Sequence, residues 1–138
     1  MSIETLAKEQ TKAIEFFEQK LAFEIGPIAL KYALAAKEPI TVVDLRTPEL
    51  FAKSHIPGAV NLSYEELEKS TGALNKDRTT VVHCYGITCA LGAKAALLLA
   101  KKGYPVKELF GGFDEYAAND LPLEGTEVKA GSCGTSCA

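Results

Sequence analysis

The chain has 138 residues, 47% apolar and 24% charged, with a formal net charge of −3. That length suits about one domain with a core large enough to stand without disulfide staples. Arg46 and Arg78 are the two arginines, so no basic stripe argues for a nucleic-acid partner, and Lys31, Lys37, Lys94 and Lys101 interrupt the apolar runs before any reaches membrane-span length.

Met1 to Gln10 mixes Glu4, Lys8 and Glu9 with apolar residues and does not read as an export signal. Four cysteines without such a signal are expected to be reduced thiols, which places the chain in the cytoplasm. Ser2 to Lys20 reads as an amphipathic helix, with Ile3, Leu6, Ile14, Phe17 and Leu21 near one face. It is either a cover for the sheet or a surface for a homodimer. Ala22 to Ile25 alternates like an edge strand, and Gly26-Pro27 opens a helix to about Lys37.

Pro39 ends that helix, and Ile40 to Leu45 has the β-branched content of a central strand. Thr47-Pro48 starts a short helix to about Ser54. His55-Ile56-Pro57-Gly58 turns into a small strand, Ala59 to Leu62. Ser63 with Glu66 spells a capping box for a helix from Tyr64 to Lys69. Thr79 to His83 is a buried strand, Ala90 to Ala100 a helix, and Val106 to Phe110 a further strand. Gly111-Gly112 then turns into a last helix, about Phe113 to Asn119. Strands alternating with helices give an α/β fold, a mostly parallel sheet with helices on both faces, and put a reactive site at the carboxyl ends of the strands.

Cys84 stands at such an end, followed by Tyr85-Gly86-Ile87-Thr88-Cys89 and then the helix. No proline interrupts these residues, so each keeps its amide donor, and the first amides of a helix lack acceptors. Such a cradle is expected to lower the Cys84 pKa, leaving a thiolate or persulfide near neutral pH. Tyr85, Gly86, Ile87, Thr88 and Cys89 are the expected substrate-binding residues. Cys89 is either a small filler of the first helical turn or a resolving thiol. Cys133 and Cys137 are a passive tail, a thiol relay, a disulfide in oxidising conditions, or, with too few ligands to favour it, a metal site. His83 should point to the face opposite Cys84 because strand side chains alternate.

Several segments together resemble the rhodanese-like, or sulfurtransferase, domain family. They are Val42-Val43-Asp44-Leu45-Arg46-Thr47-Pro48-Glu49-Leu50-Phe51, Ser54 to Leu62, the strand–Cys84–loop–helix, Gly103-Tyr104-Pro105-Val106, and Leu109 to Phe113. The resemblance implies a single domain over residues 22–123, with a helical extension at 1–21 and a flexible tail at 124–138. It implies that Cys84 accepts sulfane sulfur as a persulfide and hands it to a thiophilic acceptor, with no metal and no organic cofactor. The partners implied are a small-molecule sulfur donor and a thiol acceptor, with neither nucleic acid nor membrane. It also supports a structural network of Asp44, Arg46, Glu49 and His55. Cys89 occupies the place where the family commonly has arginine, which argues against a dianionic donor such as thiosulfate and for a persulfide or polysulfide. The alternative is a non-catalytic anion-binding, partner-binding or redox-sensing module. Phosphatase-like chemistry would want a cation that this loop lacks.

Overall fold

The computed structural model describes residues 2–128; Cys133 and Cys137 lie outside the described residues. Eleven elements follow in order: α1 (Ile3–Phe23), β1 (Glu24–Ile25), α2 (Pro27–Ala35), β2 (Ile40–Asp44), α3 (Pro48–Lys53), β3 (Val60–Asn61), α4 (Tyr64–Lys69), β4 (Thr79–His83), α5 (Leu91–Lys101), β5 (Val106–Leu109) and α6 (Gly112–Ala118). The strands form one five-stranded sheet in the order β1-β5-β4-β2-β3. Every pairing is parallel, from Glu24 opposite Glu108 to Val43 opposite Val60.

Alternation along the central strands divides the core. Val42 and Val81 pack on one face with Leu30, Ile56, Leu109 and Tyr116. Val43, Val82 and Cys84 pack on the other with Leu67, Ala95 and Leu99. A period of two on strands buried on both sides produces this arrangement. The capping box forms as expected, the Ser63 hydroxyl accepting from the Glu66 amide and the Glu66 carboxylate from the Ser63 amide.

Three local differences have plain causes. The first helix runs on to Phe23, because the Glu24 amide still donates to Lys20 O and the Lys20–Glu24 ion pair bridges the final turn; the expected edge strand shrinks to Glu24–Ile25. No residue of α1 is buried, and its contacts with the sheet are to the edge strand β1 and to β5. Glu124, the expected start of a flexible tail, pairs with His55, and the amides of Thr126 and Glu127 donate to Ala52 O and Lys53 O. No described helix is long and apolar enough to cross a membrane.

Candidate active site

Cys84 follows β4 directly, and a turn closed by the Cys89 amide on Gly86 O brings the chain to α5. The Cys84 side chain sits against Val43, Val82 and Ala95 with only 3% of the residue exposed. Its sulfur lies 2.9 Å from that of Cys89, and neither is in a disulfide. Both cysteines line a cavity of about 180 Å³ that also takes in Glu24, Gly86, Ile87 and Glu108. Ile87, 76% exposed, and Phe110 add apolar surface to its lining.

The expectation of a low-pKa thiolate at Cys84 is overturned. Burial pushes the Cys84 thiol up to about 12, and the hydrogen bond and charge of Cys89 add to that effect, outweighing the Tyr85 amide. Cys89 is shifted the other way: the hydrogen bond from Cys84, the Leu91 and Tyr85 amides and the Lys94 charge outweigh its own burial. The two shifts are opposite, so Cys89, the more open sulfur, gives up its proton before Cys84 does.

The cradle is also narrower than expected. Tyr85 and Leu91 supply the amides that meet sulfur, whereas the amide of Cys89 is spent on the turn. Cys84, Gly86, Ile87 and Cys89 meet at the cavity; the side chains of Tyr85 and Thr88 do not line it.

Glycines at the head of α6 brace the loop from behind. Gly112 has φ +64°, and a Cβ there would stand 3.1 Å from both Cys84 O and Gly86 N, so a side chain would displace the active turn. The Phe113 amide donates to Cys84 O at 3.1 Å and the Asp114 amide to Tyr85 O at 2.8 Å.

The network expected around Asp44 and Arg46 is present without all of its members. The Asp44 carboxylate is fully buried and accepts from Arg46 N, Nε and Nη2 at 2.9–3.2 Å. Arg46 also donates to Ser54 O at 2.6 Å and lies 3.6 Å over the Phe113 ring. Glu49 takes no part: it is exposed and pairs with none of these groups among the described residues. His55 is held separately, its Nδ1 at 2.7 Å from Phe51 O and its ring stacked on Phe51.

His83 points away from the Cys84 side, as the alternation predicts, and stacks on Phe113. Its Nδ1 donates to Cys84 O at 3.1 Å. Nε2 is left without a hydrogen bond, 3.7 Å from Asp44 Oδ2. Burial holds its pKa below 6.5 in spite of the Asp44 carboxylate. The unfolded chain therefore binds the extra proton first, and stability should fall as pH drops below 6.5, by at most about 1.4 kcal/mol per pH unit. Urea midpoints measured down that range should lose this slope in His83→Gln; an unchanged slope would place the titration elsewhere.

Glu24 and Glu108 were not legible as site residues. They are register partners on β1 and β5, and Glu108 is raised in pKa by burial and then by Glu24. A glutamate in a half-buried strand was the available signal. Gly92 makes room for it: a Cβ there would lie 2.7 Å from the Glu108 carboxylate.

A cysteine-bearing turn at the carboxyl edge of a wholly parallel five-stranded sheet, braced by a glycine-headed helix, defines an α/β domain organised around sulfur. The chain belongs to the rhodanese-like domain family, whose model matches residues 28–119. It is 32% identical over 105 residues to a sulfurtransferase of Allochromatium vinosum, covering 75% of this chain and 96% of that one. A segment of 93 residues, 67% of the chain, is 36% identical to part of an HTH-type transcriptional regulator of Mycobacterium tuberculosis; the match spans 41% of that regulator's length. In structure it is similar to a protein of Bacillus halodurans, with a TM-score of 0.78 and 27% identity over 92% of this chain and 98% of that one.

Proposed function

We propose that the protein is a sulfurtransferase that takes sulfane sulfur from a persulfide, polysulfide or thiosulfate-type donor onto Cys84 and delivers it to a thiol acceptor. The observation that carries this reading is the contact of two sulfurs, 2.9 Å apart, on the wall of an open cavity at the sheet's carboxyl edge. A buried thiol is a poor nucleophile, but Cys89 stands ready as its base. As Cys84 Sγ attacks the outer sulfur of the donor, its proton crosses to Cys89. The donor's remaining thiolate leaves, and the Tyr85 amide stays directed at the Cys84 sulfur. Cyanide or a thiol then attacks the outer sulfur and regenerates Cys84. The relatives named as sulfurtransferases support this reading. The test is donor-dependent thiocyanate formation from cyanide, compared between the unaltered chain and Cys84→Ser.

Donor preference follows from the lining. Glu108 and Glu24, the latter paired with Lys20, line the cavity, no lysine or arginine is among the lining residues, and Asp114 abuts Gly86. A dianion meets repulsion here, and a less charged persulfide with an apolar body meets Ile87 and Phe110. Glu108→Gln is expected to raise kcat/KM for thiosulfate by roughly threefold to tenfold, more at low salt, and to leave that for an uncharged organic persulfide nearly unchanged. Equal effects on both donors would remove charge as the discriminator.

The other reading, a regulatory or sensing module that does not turn over, is favoured by the depth of Cys84 and by the similarity to a transcriptional regulator. Absence of thiocyanate together with intact donor binding would select it.

A further inference from the structure

The transfer proposed above leaves Cys89 idle once Cys84 carries sulfur, and the geometry gives it a second reaction. Disulfide formation needs Cα atoms within about 7 Å and sulfurs that can approach to about 2 Å. Here the two Sγ atoms stand at 2.9 Å, so closing the bond takes a movement of the sulfurs of roughly 1 Å. The turn that brings Cys89 back is closed by its own amide on Gly86 O. Depth also selects the attacker. Cys84 is 3% exposed, which hinders an outside thiol from reaching its inner sulfur, and Cys89 is the other free cysteine among the described residues.

We infer that Cys84 and Cys89 form a dithiol that reduces the bound sulfane sulfur, Cys89 attacking Sγ of persulfidated Cys84 and expelling hydrosulfide. This rests on the Cys84 persulfide proposed above. The Cys89 proton passes to water and a new Sγ–Sγ bond forms. The old bond between Cys84 Sγ and the outer sulfur breaks, and its electron pair leaves with hydrosulfide. The sulfane sulfur is reduced by two electrons, and the two cysteine sulfurs are oxidised to a disulfide. A small dithiol or a protein dithiol then exchanges with that disulfide, restores both thiols and is itself oxidised. Glu24 and Glu108 on the cavity wall favour departure of the hydrosulfide anion. Acceptor supply then decides the outcome. With acceptor present the sulfur is handed on; without it the site discharges as sulfide and closes itself until a dithiol returns it to use.

The reduced full-length chain, its Cys89→Ser variant and its Cys84→Ser variant are each treated to completion with glutathione persulfide, without acceptor or reductant. Hydrosulfide is counted, and the tryptic peptide Thr79–Lys94, which contains both cysteines, is weighed. Cys89→Ser lacks the base of the first attack and burial still holds the Cys84 proton, so its loading is run at raised pH until it is complete. The unaltered chain should release about one hydrosulfide per chain, with the peptide lighter by two hydrogens. Cys89→Ser should release none and keep the mass of one added sulfur. Dithiothreitol should restore the unaltered peptide and permit repeated turnover. If the unaltered chain keeps the added sulfur as Cys89→Ser does, the reductase step is wrong and the transferase reading stands. If neither the unaltered chain nor Cys89→Ser gains sulfur or releases hydrosulfide, both fall together.

Discussion

Cys84→Ser should lower sulfane-sulfur transfer to cyanide by roughly 10³-fold or more, because a serine hydroxyl cannot form the persulfide intermediate and the remaining site supplies only binding. The result is informative because the variant retains Cys89, which is the more open sulfur and is held below the ordinary thiol range. If sulfur were accepted by whichever thiol is best ionised at rest, Cys84→Ser would keep its activity, and the nucleophile would have to be reassigned to Cys89. Loss is expected on the present reading, since Cys84 lies at the strand end between the Tyr85 amide and the cavity. The persulfide is more readily ionised than the thiol it replaces, so the pair needs Cys89 most during the first attack. In Cys89→Ser the rate should therefore rise with pH further into the alkaline range than in the unaltered chain.

The largest stability effect is expected at Arg46. Asp44 and Arg46 are 0% and 5% exposed, and three donors of Arg46 serve one carboxylate. Removing the guanidinium leaves a buried anion uncompensated, which costs about 3–5 kcal/mol. It also frees Ser54 O and uncovers Phe113, whose amide holds Cys84 O, so a loosened active turn should accompany the loss. Urea unfolding of Arg46→Ala is the measurement, with the slope against denaturant unchanged and the midpoint lowered. Arg46→Lys should recover little, since a single ammonium cannot reproduce the fork on Asp44 and the bond to Ser54. Removing both charges, as in Asp44→Ala with Arg46→Ala, should cost less than the sum of the two single changes. A loss below about 1 kcal/mol for Arg46→Ala would show that water reaches the pair and that Arg46 is not a brace.

Local chemistry made the elements readable. Thr79 to His83 is β-branched and bounded, Ser63 and Glu66 cap each other through contacts within one turn, and Gly111-Gly112 reverses the chain where only glycine fits. The position of the reactive cysteine was readable for the same reason, since a strand end followed by a helix start is a local feature. The facing of His83 away from Cys84 followed from the period of two. Glu49 misled because an acidic residue beside the Asp44–Arg46 pair carries no local sign of which way it will turn, and it turns to solvent.

Tertiary packing decided the chemistry of the thiols. Cys84 is buried by Val43 from one strand and Leu67 and Ala95 from two helices, and no feature of residues 84–89 records those neighbours. The charge on the cavity wall depends on β1 lying beside β5, which sets Glu24 against Glu108 across most of the chain length. Burial and neighbouring charge set an ionisation equilibrium, and both are sums over atoms brought near from distant positions. Composition and spacing thus placed a sulfur at the edge of a sheet, and the folding of remote segments around it determined which of two sulfurs gives up its proton first.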